Sequence, residues 1–371
     1  MSSRNIRVLV VDDSPLVREI ISDVIKESPG IELAGTACDG RQALVQLERL
    51  KPDVITLDVQ MPNMDGLATL DAILATNPVP VVMVSSLTQL GANTTLDALD
   101  RGAVDYVAKP EGAAGIEAMF RGELMRKIRM MAGTDVRRML QIRKERAEKT
   151  NALRRQPVEI APPATTCDAA DLADKCIAIG ISTGGPPALS TLFTDLRPPL
   201  PPIVVVQHMP PAFTKPFAWR LNSISQLSIK EAETGDVLKP NQVFVAPGGQ
   251  HLHLRKRMGQ VVVEVRDGEP VSGHRPSVDV MMTCAAEIFG DRCLGVVMTG
   301  MGRDGSDGCG AIRNRGGYVL GQDEASSDVY GMNKVAFVEG NVDRQFSLDS
   351  AAATITAQSK KLRSATLVGA T

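Results

Sequence analysis

Ser182 lies in AIGISTGGPPAL, residues 178–189. Gly180, Ser182 and Gly184 fit G-x-S-x-G, a pattern that presents a nucleophilic hydroxyl at a strand-to-helix turn. Gly180, Ser182 and Gly185 also approach the dinucleotide fingerprint G-x-G-x-x-G. There the middle position must be glycine so that the pyrophosphate can reach the backbone, and Ser182 occupies it. No acidic ribose ligand stands at the expected distance, because the strand near Ile203 to Gln207 ends in His208. A nucleophilic serine needs a base, and the base an orienting carboxylate. The chain has four histidines. His208 ends PPIVVVQH, on the sheet edge of Ser182 if the strands are parallel, and is the favoured base. His251 and His253 alternate in QHLHLRK and so point the same way; a solvated strand face suits them better than a metal pair. His274, in SGHRPSVD, reads as a loop residue at the rim of a site. Asp304 and Asp307 follow a third strand in VMTGMGRDGSDG, and pattern alone does not choose between them.

A second group of residues suits different chemistry. Asp12 and Asp13 follow the apolar run IRVLVV, and Asp58 ends DVITLD. Carboxylates gathered on one sheet edge repel one another unless a cation lies between them, and hard oxygen ligands suit Mg²⁺. Ser85 and Lys109 end two further strands and add a hydroxyl and a positive charge. Together they suit phosphoryl transfer to Asp58, with Mg²⁺ and Lys109 neutralising the transferred group. Pro110 is a candidate cis-proline that would fix the direction of Lys109.

The elements that must position these residues alternate. IRVLVVDD, IELAGTAC, DVITLDV, VPVVMVSS and VDYVAKP read as strands with helical patterns between them, which predicts a doubly wound, flavodoxin-like (β/α)₅ domain over residues 1–125. Residues 126–175 are basic and partly helical in pattern at first, then rich in proline, alanine and threonine, and read as a linker. From Cys176 to Thr371 the alternation resumes in CIAIGIS, PPIVVVQH, QVFVAPG, CLGVVMTG and GGYVLGQD. That predicts a second doubly wound, mainly parallel α/β sheet, with QHLHLRKRMGQVVVEVRDGE as an inserted hairpin.

Composition excludes several function classes. The 371 residues carry 41 Lys and Arg against 43 Asp and Glu, and aromatics are 3%. This balance has no nucleic-acid or membrane signature, and the chain lacks material for base stacking. The basic linker leaves one alternative, a protein that binds nucleic acid through that stretch. No apolar run approaches the roughly 18 residues of a membrane span, and the N-terminus lacks the pattern of a signal peptide. The six cysteines are scattered without a C-x-x-C pair. Reduced thiols and a cytoplasmic location are expected.

VLVVDDSPLVRE, DVITLDVQMPNMDG and AVDYVAKP resemble the receiver domain of two-component response regulators. The resemblance implies that Asp58 accepts a phosphoryl group from a histidine kinase and that Ser85 and Tyr106 transmit the change. It also implies that the main-chain carbonyl of Gln60 completes a metal site with Asp12, Asp13 and Asp58. GISTGGPPAL, VVVQHMPPAFT, VAPGGQHL, HRPSVDVM and VMTGMGRDGSDG resemble the catalytic domain of the chemotaxis methylesterase (CheB) family. This resemblance places nucleophile, base and carboxylate on Ser182, His208 and Asp304, with the oxyanion site near Thr183 and Met301. It implies a serine hydrolase, activated by phosphorylation and without a cofactor in the esterase reaction. Its substrates would be glutamate methyl esters and certain glutamines on chemoreceptors.

Overall fold

The computed structural model describes residues 4–86, 88–109, 114–154 and 166–363. They fall into two compact units, Met1–Thr150 and Asn151–Thr371. In the first unit the strands are β1 (Ile6–Val11), β2 (Ile31–Ala37), β3 (Val54–Asp58), β4 (Val81–Ser85) and β5 (Asp105–Ala108). Between them run α1 (Pro15–Lys26), α2 (Gly40–Leu50), α3 (Gly66–Thr76) and α4 (Gln89–Arg101). All strand pairs are parallel, in the order β2-β1-β3-β4-β5. Helix starts follow their caps: Ser14, Asp39, Asp65 and Thr88 each accept a hydrogen bond from a backbone N–H of the helix they open. The chain reverses direction across the sheet between β1 and β3, and Asp12 and Asp58 lie at that switch point.

The first unit continues past residue 125. Helix α5 covers Ala114–Met131 and α6 covers Val136–Arg154, so much of the stretch expected as linker is folded. Val136 and Met139 are buried, and Leu140 packs against Gly102. Arg143 donates to the carbonyl of Leu99 at 2.9 Å. Apolar residues three and four apart give this basic helix a face to bury. Pro110 lies outside the described residues.

The second unit opens with α7 (Thr166–Ala173) and β6 (Cys176–Ile181), followed by α8 (Gly185–Asp195), β7 (Ile203–Gln207) and α9 (Pro211–Ile224). Next come β8 (Ser228–Glu231), β9 (Gln242–Val245), β10 (His251–Arg257), β11 (Gln260–Arg266) and α10 (Val278–Phe289). The unit ends with β12 (Cys293–Val297), α11 (Ser306–Asn314), β13 (Tyr318–Gln322), α12 (Met332–Val338), β14 (Arg344–Phe346) and α13 (Ala351–Lys361). A seven-stranded sheet has the order β14-β13-β12-β6-β7-β9-β8, with every pair parallel. The expected hairpin is present: β10 and β11 pair antiparallel as a separate sheet. The edge strands β8 and β14 escaped the sequence reading, because SIKE and RQF are short and polar and lack an apolar run. Met281, Met282, Ala285, Ala286 and Phe289 of α10 form a buried stripe in the core. Here the reversal falls between β6 and β12, which sets the ends of both strands side by side.

Candidate active site and phosphoacceptor site

Strand β6 delivers Ser182 into a tight turn. Its N–H donates to Thr299 O at 3.0 Å, and its carbonyl accepts from Gly185 N–H at 2.8 Å. Gly184 caps α8 with φ +76°, a left-handed conformation, and a Cβ there would lie 2.7 Å from the Asp328 Cβ. Pro186 and Pro187 occupy the first turn of α8, where their missing N–H groups cost nothing. A Cβ on Gly180 would lie 2.2 Å from the Val278 side chain. These glycines therefore make room for neighbours around the serine.

Strand β7 places His208 beside it. Ile181 pairs with Gln207 in register, and His208 N–H donates to Ile181 O at 3.2 Å. Both residues thus follow directly from paired positions on adjacent parallel strands. Gln207, buried, bridges them: its amide donates to Ser182 O at 3.0 Å and His208 O at 3.1 Å. Sequence reading passed over Gln207, whose only signal is a polar residue ending a buried strand.

Asp304 closes the arrangement. Its Oδ2 meets His208 Nε2 at 2.7 Å and accepts Val278 N–H at 2.8 Å. Its Oδ1 accepts the Ser277 hydroxyl at 2.8 Å and Asp279 N–H at 3.0 Å. Burial raises the carboxyl's pKa. The His208 hydrogen bond and charge, together with the α10 N-terminal N–H groups, outweigh that and hold it well below the ordinary carboxylate range. Asp307 instead forms a two-pronged pair with Arg303 at 2.8 and 3.0 Å, on the surface. Geometry thus separates the two aspartates that the motif left open.

Nε2 of His208 is directed at Asp304. Nδ1 is buried and has no hydrogen-bond partner among the described residues. Asp304 meets Nε2 and not Nδ1, the reverse of the ring contact that the aspartate makes in the trypsin-like triad. Thr183 is buried next to Ser182, and its carbonyl accepts from Thr299 Oγ1 at 2.9 Å. Met301 follows Gly300, where a Cβ would lie 2.8 Å from the Ser182 Cβ. The N–H of Ser182 and that of Gly300 are already committed, to Thr299 O and Val329 O.

Two residues depart from expectation. His251 is buried, not on a solvated strand face. Its Nδ1 accepts Ser277 N–H at 3.2 Å and its Nε2 reaches Glu269 O at 3.0 Å. Both nitrogens are occupied, which removes it from a metal pair; His253 lies instead against Cys284 Sγ at 3.5 Å. Asp279, unremarked in the sequence, accepts Gly305 N–H and Gly308 N–H at 2.8 Å each. Burial and the nearby Asp304 charge push its carboxyl up to about 6, against the pull of those N–H groups and Ser272.

The first unit holds a different arrangement. Lys109 Nζ lies 2.8 Å from Asp12 and 2.8 Å from Asp58. Burial pushes the Asp58 carboxyl above its ordinary value, with the Asp12 charge adding to it; Lys109 and the Gln60 N–H pull the other way. Asp12, Asp13 and Asp58 offer oxygens within 4.8 Å of one another, a hard donor set of the kind divalent cations take. Ser85 is buried, with its hydroxyl near Gly91 O at 3.3 Å. Tyr106 is buried, with Lys127 Nζ 4.9 Å from its ring centre.

The family profile for the CheB methylesterase matches residues 177–355, and that for the response regulator receiver domain matches residues 8–121. A protein-glutamate methylesterase/protein-glutamine glutaminase of Treponema denticola is 42% identical over 370 residues, covering 96% of this chain and 99% of its own length. The chain belongs to the CheB methylesterase family. A second such relative, from Syntrophotalea carbinolica, is 44% identical over 351 residues, covering 94% of this chain and 96% of its own length. The crystal structure of the Thermotoga maritima CheB methylesterase catalytic domain is similar too, with 39% identity and a TM-score of 0.49, covering 49% of this chain and 97% of that one. Membership joins a receiver to a methylesterase domain in one chain, and the nucleic-acid alternative gains no support from it. No helix among the described residues is long and apolar enough to cross a membrane.

Proposed function

We propose that the chain is a cytoplasmic serine hydrolase that removes methyl esters from glutamate side chains of chemoreceptors and converts certain of their glutamines to glutamate. The observation that carries this reading is the His208–Asp304 hydrogen bond at 2.7 Å, one strand from Ser182. Ser182 Oγ adds to the ester carbonyl, and its proton passes to His208 Nδ1. Nε2–H stays on Asp304, which stabilises the imidazolium. Backbone N–H groups of Thr183 and Met301 hold the oxyanion. The C–O bond to the leaving group breaks, His208 returns the proton and methanol departs. Water then attacks the acyl group while His208 Nδ1 takes its proton, and glutamate and free Ser182 result. A glutamine follows the same path with ammonia as the leaving group. The esterase steps use no cofactor.

Control is proposed to lie in the receiver. A histidine kinase supplies the phosphoryl group; the Asp58 oxygen attacks phosphorus, the P–N bond of the phosphohistidine breaks, and an acyl phosphate forms. Asp12, Asp13 and Asp58, with the Gln60 carbonyl, would hold Mg²⁺, which would supply positive charge beside the transferred group. Lys109 adds a fixed positive charge there, and Ser85 and Tyr106 relay the change. Chemoreceptor membranes carrying labelled glutamate methyl esters test the reading. Labelled methanol is expected, released faster when a small phosphodonor is present. No release under either condition overturns the reading.

A further inference from the structure

His208 is held at one edge by Asp304, and one face of its ring is also covered. The His274 imidazole lies parallel to it, with ring centres 3.8 Å apart and planes at 6°. We infer that His274 is a positioning residue for the hydrolase, its flat ring fixing the plane of His208 so that Nδ1 can take the Ser182 proton. This rests on the serine-hydrolase reading above and names a residue that reading does not use.

The loop is built to present that ring. Val271 and His274 exchange both backbone hydrogen bonds, at 3.1 and 2.9 Å. Between them Ser272 and Gly273 take φ +53° and +78°, as in the tight primed turns that demand positive φ at both central positions. The loop is fastened on each side of the turn. Ser272 Oγ donates to Asp279 at 3.1 Å. Arg275 donates to Gly268 O at 2.6 Å, and its carbonyl accepts Gly249 N–H at 3.1 Å. His251 joins Glu269 O to Ser277 N–H, which spans the loop's two ends. The segment is tied at all these points, and His274, half-buried within it, is the residue whose ring lies on His208.

The physical need is specific. One hydrogen bond at Nε2 leaves the His208 ring free to tilt about the bond to Asp304, which swings Nδ1 away from Ser182. A flat partner on the ring face removes that tilt by stacking, and keeps water off the same face. Loss of alignment at a proton-transfer position of this kind costs one to two orders of magnitude in rate.

The experiment compares His274→Leu and His274→Phe in the full-length chain. It measures methanol release from methylated receptor membranes and the proton chemical shifts of the His208 ring. His274→Leu is expected to lower kcat about 10- to 100-fold with KM within about twofold. His274→Phe, which keeps a flat ring, is expected to recover kcat to within about threefold of wild type. The ring-current displacement of the His208 protons should persist in the Phe variant and vanish in the Leu variant. Three results overturn the inference: unchanged kcat in His274→Leu, a change confined to KM, or a Phe variant as slow as the Leu variant. Wild type that releases no methanol fails the hydrolase reading instead, while the His208 shifts still report on the stack.

Discussion

The two units place a buried aspartate at the same topological position and treat it in opposite ways. Each lies at the switch point of a parallel sheet, where strand ends open a crevice. Asp304 is saturated: His208, the Ser277 hydroxyl and two backbone N–H groups all reach its oxygens, and its pKa is depressed. Asp58 is bonded less fully, by a lysine it shares with Asp12 and by the Gln60 N–H, and is pushed upward by burial. A carboxylate that must hold a histidine through many turnovers is best fully bonded. A carboxylate proposed to attack phosphorus, as Asp58 is, needs lone pairs to spare. Burial is similar at the two aspartates, so the count of hydrogen-bond donors, and not depth, separates their roles.

The largest expected effect comes from neutralising each aspartate in turn. Asp304→Asn should lower kcat for methanol release about 10³- to 10⁴-fold, because an amide cannot keep His208 in the tautomer that bares Nδ1. Asp58→Asn should leave the unphosphorylated rate within about twofold and abolish phosphate incorporation. Equal losses in the two variants would dissolve the contrast. Next in size is the response to chelation. Removing divalent cations should slow phosphorylation at Asp58 by about 10²-fold or more and leave the esterase rate of the unphosphorylated chain unchanged. An esterase that dies on chelation would restore a metal-dependent mechanism.

Stability should split the same way. Asp304→Asn strands buried donors at the α10 N-terminus and should cost about 1–3 kcal/mol in the second unit by hydrogen exchange. Asp58→Asn removes a charge that the fold disfavours and should stabilise the first unit or leave it unchanged. Destabilisation there would mean that Asp58 is structural. The smallest effect is the pH dependence. Asp304's contribution is complete above the unfolded carboxyl value of about 3.9 and is lost only as the pH falls through its lower folded value. Asp58 is raised, so the folded chain binds its proton first. Stability of the first unit therefore falls as the pH rises from about 3.9 through the raised value. The difference between wild type and Asp58→Asn should widen over that window, and a gap independent of pH would contradict the cause assigned to the shift.

Much of this was legible in the chain, for physical reasons. Buried parallel strands are apolar throughout, so IVVVQ and CIAIGI announce themselves, and reactive residues in such sheets follow strand ends. Ser182, His208, Asp58 and Lys109 could be found by that rule. Asp304 could not be told from Asp307 by spacing, because their difference lies in which way a loop turns. His251 was misplaced because alternation along a strand shows which residues share a face, not whether a loop covers that face. Gln207 and Asp279 escaped because they act on backbone groups, which leave no trace in composition. Helix α6 read as part of a basic linker because of its charge: seven of the 19 residues in VRRMLQIRKERAEKTNALR are arginine or lysine, and the few apolar positions decide its packing.

The central claim is that Ser182 attacks the ester with His208 and Asp304 behind it. Methanol release from methylated receptor by wild type and by Ser182→Ala, under identical conditions, tests it most directly. The account predicts a fall of about 10⁴-fold or more in the variant. Equal rates would show that the nucleophile is elsewhere.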